Sequence, residues 1–90
     1  MMEARARVVV VNEVMHFRPL ARLRELATQL DMELLLVYGG DTLPISRILG
    51  LIGWELVKGD ELEVIVRASG DVASRLAAVV AFMQGGCGEK

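Results

Sequence analysis

Residues Glu61 to Arg67 alternate in character, with Leu62, Val64 and Val66 on one side of an extended chain and Glu61, Glu63 and Arg67 on the other. Side chains of a strand point to opposite faces in turn, so this segment predicts a strand with one dry and one wet face. A strand of that kind belongs in a sheet covered on one side only, and the remaining chain must supply the cover. Leu20, Leu23, Leu26 and Leu30 form the apolar stripe of a first helix running from about Phe17 to Leu30, with Pro19 tolerated in its first turn. Val72, Leu76, Val79, Val80 and Met83 form the stripe of a last helix, which starts after Ser69-Gly70-Asp71 and ends at Gly85-Gly86. A short helix over Arg47 to Gly53 carries Ile48, Leu49, Leu51 and Ile52.

The other strands are expected at Arg5 to Val11, Met32 to Tyr38 and Thr42 to Pro44. The last two are joined by the turn Gly39-Gly40-Asp41 as a hairpin, and Lys58-Gly59-Asp60 turns the chain into the alternating strand. The order β-α-β-β-α-β-α predicts an α+β fold: a four-stranded, mainly antiparallel sheet with three helices on one face. Ninety residues make one domain, 1–90, with its core over about 5–84 and a flexible tail at 85–90.

Composition narrows the function. A hydrophobic content of 53% supports a packed core, and a net charge of −2 argues against a nucleic-acid binder. Arg5, Arg7, Arg18, Arg22 and Arg24 concentrate positive charge in the first quarter, which favours an acidic partner surface. No apolar run reaches the ~18 residues needed to span a bilayer, and the start lacks a secretory signal, so a cytoplasmic protein without membrane insertion is expected. Cys87 is the single cysteine and reads as a passive thiol of the tail, so neither an internal disulfide nor a thiolate metal cage is expected.

The chemistry concentrates at Met15-His16-Phe17-Arg18-Pro19, which holds the only histidine. Pro19 and the leucine stripe place His16 at a helix N-terminus, where unpaired N–H groups and the helix dipole favour anions. Arg18 adds a planar, permanently charged fork suited to oxyanions. His16 is thus a nucleophile placed to receive an anionic group. No second acid or base, no phosphate-binding glycine loop and no metal-ligand cluster accompanies it, so the chain is not expected to be a free-standing enzyme or to hold a cofactor or metal. The short helix is apolar nearly all round, and some of Ile48, Leu49 and Ile52 should be exposed beside His16 as a docking patch.

His16-x-Arg18-Pro19, Gly50 in the short helix, Lys58-Gly59-Asp60-Glu61 before a strand and Ala68-Ser69-Gly70 before the last helix together resemble the HPr family. These are the histidine-containing phosphocarrier proteins of the phosphoenolpyruvate-dependent sugar phosphotransferase system. The resemblance implies the open-faced sandwich of that family. It also implies that His16 accepts a phosphoryl group on its δ nitrogen from enzyme I, with Arg18 as phosphate partner, and hands it to an enzyme IIA. Docking through the first and second helices maps onto Phe17, Ala21, Ile48, Leu49 and Ile52, and a monomer suffices, although strand exchange through the Val8 to Val11 edge is conceivable. The alternative reading is a regulatory module of this shape that docks partners through the second helix and relays nothing.

The chain departs from the family pattern at several places. Val14 stands where a glycine is usual and Phe17 where a small residue is usual, so crowding at the acceptor is expected. Arg47 occupies the place of the serine that an ATP-dependent kinase modifies in many relatives. Ser46, one residue earlier, remains a conceivable acceptor and is more simply expected to cap the second helix. Glu55 stands where glycine is common, so the exit from that helix should be reshaped.

Overall fold

The alternating segment forms the second strand of the sheet and its mechanical centre. In the computed structural model, which describes residues 1–89, the elements are β1 (Met2–Val9), α1 (Phe17–Gln29), β2 (Glu33–Tyr38), β3 (Asp41–Pro44), α2 (Ile48–Ile52), β4 (Glu61–Ala68) and α3 (Val72–Gln84). The sheet order is β1-β4-β2-β3, and every pairing is antiparallel. β4 pairs with β1 along its whole length, Leu62 opposite Val8 and Val64 opposite Ala6, and with β2 on its other side.

Leu62, Val64 and Val66 are buried beneath the helices, together with Val8, Leu34 and Leu36 from the neighbouring strands. α3 lies over β1 and β4, α1 packs on α2 and α3, and Leu20, Leu23, Leu51, Leu56, Val79 and Met83 complete the core. No charged or polar residue is buried among the described residues, so hydrophobic burial holds this layer without any cost of desolvating charge.

The wet face is laced with ion pairs. Glu3 accepts from Arg5 and from Arg67, both at 2.8 Å, while Arg5 reaches Glu63 at 3.3 Å and Arg67 reaches Glu33 at 3.6 Å. Hydrogen bonds from Arg5 first and Arg67 second hold the Glu3 carboxyl below its ordinary range. Two apolar residues on this face are nonetheless buried: Leu35 and Ile65 sit opposite each other and are only 9% and 4% exposed. Ile65 also faces Arg5 on β1, and an arginine stem can cover apolar surface while its head stays in water.

The expected element order holds, with local corrections. β1 begins at Met2 and ends at Val9, so it is shifted towards the N-terminus of the expected Arg5 to Val11. Ala4 and Ala6 are weak strand formers alone, but here they pair with Val66 and Val64, and tertiary pairing overrides propensity.

The expected flexible tail is instead a packed turn. Cys87 is fully buried, its N–H donates to Phe82 O at 2.9 Å, and Asn12 Nδ2 donates to Gly86 O at 2.8 Å. Gly86 and Gly88 have φ of +84° and +76°, the left-handed conformation that lets the turn close. Cys87 is therefore a core side chain and no passive tail thiol; burial, then the nearby Glu89 charge, pushes its pKa up to about 11. Lys90, the end of the expected tail, lies outside the described residues.

Ser46 does not cap α2. It is exposed, the N-cap position is Arg47, and no side chain caps that helix. The backbone does the work, with Arg47 N–H donating to Pro44 O at 2.9 Å and Leu51 N–H to Arg47 O at 3.0 Å. Glu55 follows the helix with φ +53°, a left-handed position that explains why glycine suits this site.

Candidate functional site

The loop entering α1 is fixed by main-chain bonds before any side chain acts. Val10 N–H donates to Asp60 O at 2.8 Å and Gly59 N–H to Val10 O at 2.9 Å. Val14 forms a bridge with Val57, and Met15 N–H donates to Leu56 O at 2.9 Å while the Met15 side chain is buried. Val14 does not have positive φ. The glycine usual there is therefore not required by the backbone in this chain, and valine suits an extended bridge.

His16 comes next, as the N-cap of α1, with φ −89° and ψ −166°. Its carbonyl accepts from Leu20 N–H at 3.3 Å, while its ring is exposed and makes no capping bond. Pro19 is buried in the first turn and has no N–H. With Leu20 already bonded, the first-turn donors left open are the N–H groups of Phe17 and Arg18. They lie at the positive end of the helix dipole, directly after the imidazole.

Arg18 is exposed and only loosely held. Its guanidinium lies 3.9 Å from Glu89 Oε1, and Arg22 lies 3.5 Å from Glu89 Oε2. Arg22 also donates to Gly88 O at 2.8 Å. Exposed pairs of this length contribute little, about 0–1 kcal/mol, whereas a phosphoryl dianion accepts short, charge-assisted bonds from an arginine fork. Arg18 is thus only weakly committed to Glu89. Glu89 and Asn12, which help anchor the C-terminal turn beside α1, were not among the expected site residues. Three glycines around one apolar residue in Gly85-Gly86-Cys87-Gly88 are the signal of a tight packed turn that points to them.

The docking residues divide sharply. Leu49 is 84% exposed and Phe17 58% exposed, while Ala21 and Ile52 are half-buried. Ile48 is only 5% exposed and belongs to the core, which corrects the docking role expected of it. Ile48, Leu51 and Ile52 are three and four positions apart and turn inward, so Leu49 alone points fully outward. A shallow groove along α1 is lined by Phe17, Arg18, Ala21, Arg22, Arg24 and Glu25, with Thr28 at its end, which sets an apolar ring beside three arginines and one carboxylate. Among the described residues no group of three side chains is arranged to hold a metal ion, and no helix is long and apolar enough to cross a membrane.

Comparison with known proteins bears on this site. A family model described as "PTS HPr component phosphorylation site" matches residues 4–84. Among solved structures, HPr-C-His from Thermoanaerobacter tengcongensis superimposes with a TM-score of 0.72 at 19% identity, covering 100% of this chain and 99% of that one. The histidine-containing phosphocarrier protein of a Mycoplasma superimposes with a TM-score of 0.65 at 14% identity, covering 93% of this chain and 97% of that one. No curated protein sequence matches.

Proposed function

This chain belongs to the HPr family, and from that premise we propose that His16 takes a phosphoryl group from phospho-enzyme I and passes it to an enzyme IIA-type acceptor. The observation that carries the proposal is the exposed, unbonded His16 ring at the α1 N-cap, followed by the open N–H groups of Phe17 and Arg18. In each transfer the δ nitrogen lone pair attacks phosphorus, the new N–P bond forms and the bond to the donor's nitrogen breaks. Handing the group on reverses these roles: the His16 N–P bond breaks and the ring recovers its lone pair.

Charge stabilisation without burial suits a relay. The phosphoryl oxygens gain helix N–H donors and the Arg18 fork, yet they stay in contact with water and with the next acceptor. The chain is then a carrier and a substrate of other enzymes, working in the cytoplasm. Leu49, Phe17 and the groove beside Ala21 supply the docking contact, with the arginines of α1 facing an acidic partner surface.

Intact mass after incubation with phosphoenolpyruvate, magnesium and enzyme I tests the proposal, with His16→Ala alongside. The expected result is a single acid-labile phosphoryl adduct on the wild type and none on the variant. An unmodified wild type, with enzyme I shown active on a standard carrier, refutes it.

A further inference from the structure

The turn at 85–89 sets a carboxylate against α1. Its backbone is locked by Cys87 N–H donating to Phe82 O at 2.9 Å, Glu89 N–H to Gly86 O at 3.0 Å and Asn12 Nδ2 to Gly86 O at 2.8 Å, none of which involves the Glu89 side chain. From that position one carboxylate reaches two guanidinium groups, Oε1 lying 3.9 Å from Arg18 and Oε2 3.5 Å from Arg22. Arg18 and Arg22 are four residues apart and so share one face of the helix. Gly88 admits the second of them: a Cβ there would stand 3.0 Å from the Arg22 guanidinium, and without it Arg22 donates to Gly88 O at 2.8 Å. Glu89 is the least exposed of the ion-paired carboxylates among the described residues, at 30%. It also lines a shallow hollow with Asn12, Glu13 and Val14, the residues that lead into His16. The turn lies beyond residues 4–84, over which the family model matches, so these contacts belong to this chain and not to the shared pattern.

Resting on the relay proposed above, we infer that Glu89 is a positioning residue for it: its carboxylate holds Arg18 in the unphosphorylated chain, and a phosphoryl group on His16 takes Arg18 away from it. A phosphoryl dianion accepts short, charge-assisted bonds from an arginine fork, and it wins against a carboxylate 3.9 Å away. Arg22, anchored at Gly88 O, stays with Glu89 and keeps that charge partnered while the phosphohistidine exists. The change of partner subtracts from the phosphorylated state whatever the Arg18–Glu89 pair contributes to the unphosphorylated one. Glu89 therefore makes His16 a weaker holder of the group and a readier donor of it. Since an exposed ion pair is a small term, the bias in the phosphorylation equilibrium is about two- to fivefold.

A competition tests this. Wild type and isotope-labelled Glu89→Gln, mixed in equal amounts with catalytic enzyme I and too little phosphoenolpyruvate to label both, share the phosphoryl group according to their equilibrium constants, which intact mass reads. Glu89→Gln should hold about two- to fivefold more of it than the wild type, and the excess should shrink in ~1 M salt. In an Arg18→Gln background the change at 89 should have no effect, because the carboxylate acts through Arg18. Equal shares overturn the proposal, as does an excess that persists in the Arg18→Gln background, which means plain repulsion between Glu89 and the phosphoryl charge. If enzyme I leaves the wild type unlabelled, the relay fails by itself, and Glu89 is then read with phosphoramidate, whose phosphorus is attacked by the His16 lone pair as ammonia leaves, without any partner protein. The guanidinium NMR signals of Arg18 should differ between wild type and Glu89→Gln before this labelling and coincide after it. Any other pattern, a ring left unlabelled included, overturns the role given to Glu89.

Discussion

Ile48 and Leu49 are chain neighbours with opposite fates, and substituting each separates stability from docking. Ile48→Val removes one methylene from a side chain that is 5% exposed. Such a truncation costs about 0.5–1.5 kcal/mol, and a domain of this size loses about 4–8 °C per kcal/mol. The melting midpoint should therefore fall by roughly 2–12 °C, while phosphoryl transfer at a temperature where the domain is folded stays at the wild-type rate. Leu49→Asp has the reverse profile. The side chain is 84% exposed, so folding stability should change by no more than about 0.5 kcal/mol, and an aspartate in the first turn of a helix opposes nothing in the dipole. What it removes is the apolar area buried in a complex, about 1.5–3 kcal/mol for a leucine, or roughly ten- to hundredfold in affinity. Thermal melts followed by circular dichroism, beside initial rates of transfer from phospho-enzyme I at subsaturating carrier, read both quantities. A Leu49→Asp variant that melts as low as Ile48→Val, or one that accepts phosphate at the wild-type rate, would refute this division of α2.

Three further outcomes follow from the same geometry. The Cys87 thiol, buried and with its pKa raised to about 11, should react with a disulfide reagent only on unfolding, and Cys87→Ser should cost about 1–3 kcal/mol by leaving a hydroxyl unsatisfied in the core; a fast-labelling native thiol contradicts both. Glu3 is held below its ordinary value of 4.5 by Arg5 and then Arg67, so its contribution is present above that pH and is lost as the pH falls through the depressed value. Urea midpoints measured against pH should thus decline less steeply in acid for Glu3→Gln than for the wild type. Arg18→Lys keeps the charge but loses the fork, and since Arg18 is exposed the fold should be unchanged while rapid-quench rates of phosphoryl transfer fall; an unchanged rate removes Arg18 from the mechanism.

The layer architecture is legible in the sequence because it rests on periodicity. The alternation of β4 and the stripe in α1 place Leu62, Val64, Val66, Leu20 and Leu23 in the core, where they lie. His16 at a helix start is legible for the same reason, since Pro19 and the stripe fix where α1 begins. What escaped depends on contacts remote in sequence. Glycines at 85, 86 and 88 fit a loose tail as well as a tight turn, and the docking of Cys87 with the bond from Asn12 decides for the turn. Ser46 looks like a cap by residue type, yet the backbone bond of Arg47 to Pro44 starts the helix without it. In α2 composition alone cannot separate Ile48 from Leu49, whereas the inward spacing of 48, 51 and 52 can.

The stitching of residues 10–15 to residues 56–60 bears on how such a carrier can diverge. The position of His16 is written in main-chain bonds from Val10, Met15 and Gly59 and in the Val14–Val57 bridge; any residue except proline supplies the groups at 10, 14 and 15, while Gly59, at φ +98°, is held to glycine. If His16 relays a phosphoryl group as proposed, selection presses on His16 and Arg18 and only lightly on the residues between them and the sheet. Val14 and Phe17 can drift from the family's habit without moving the imidazole. The surface that partners read can change in this way, so that duplicated carriers acquire separate clients while keeping one phosphorylation chemistry.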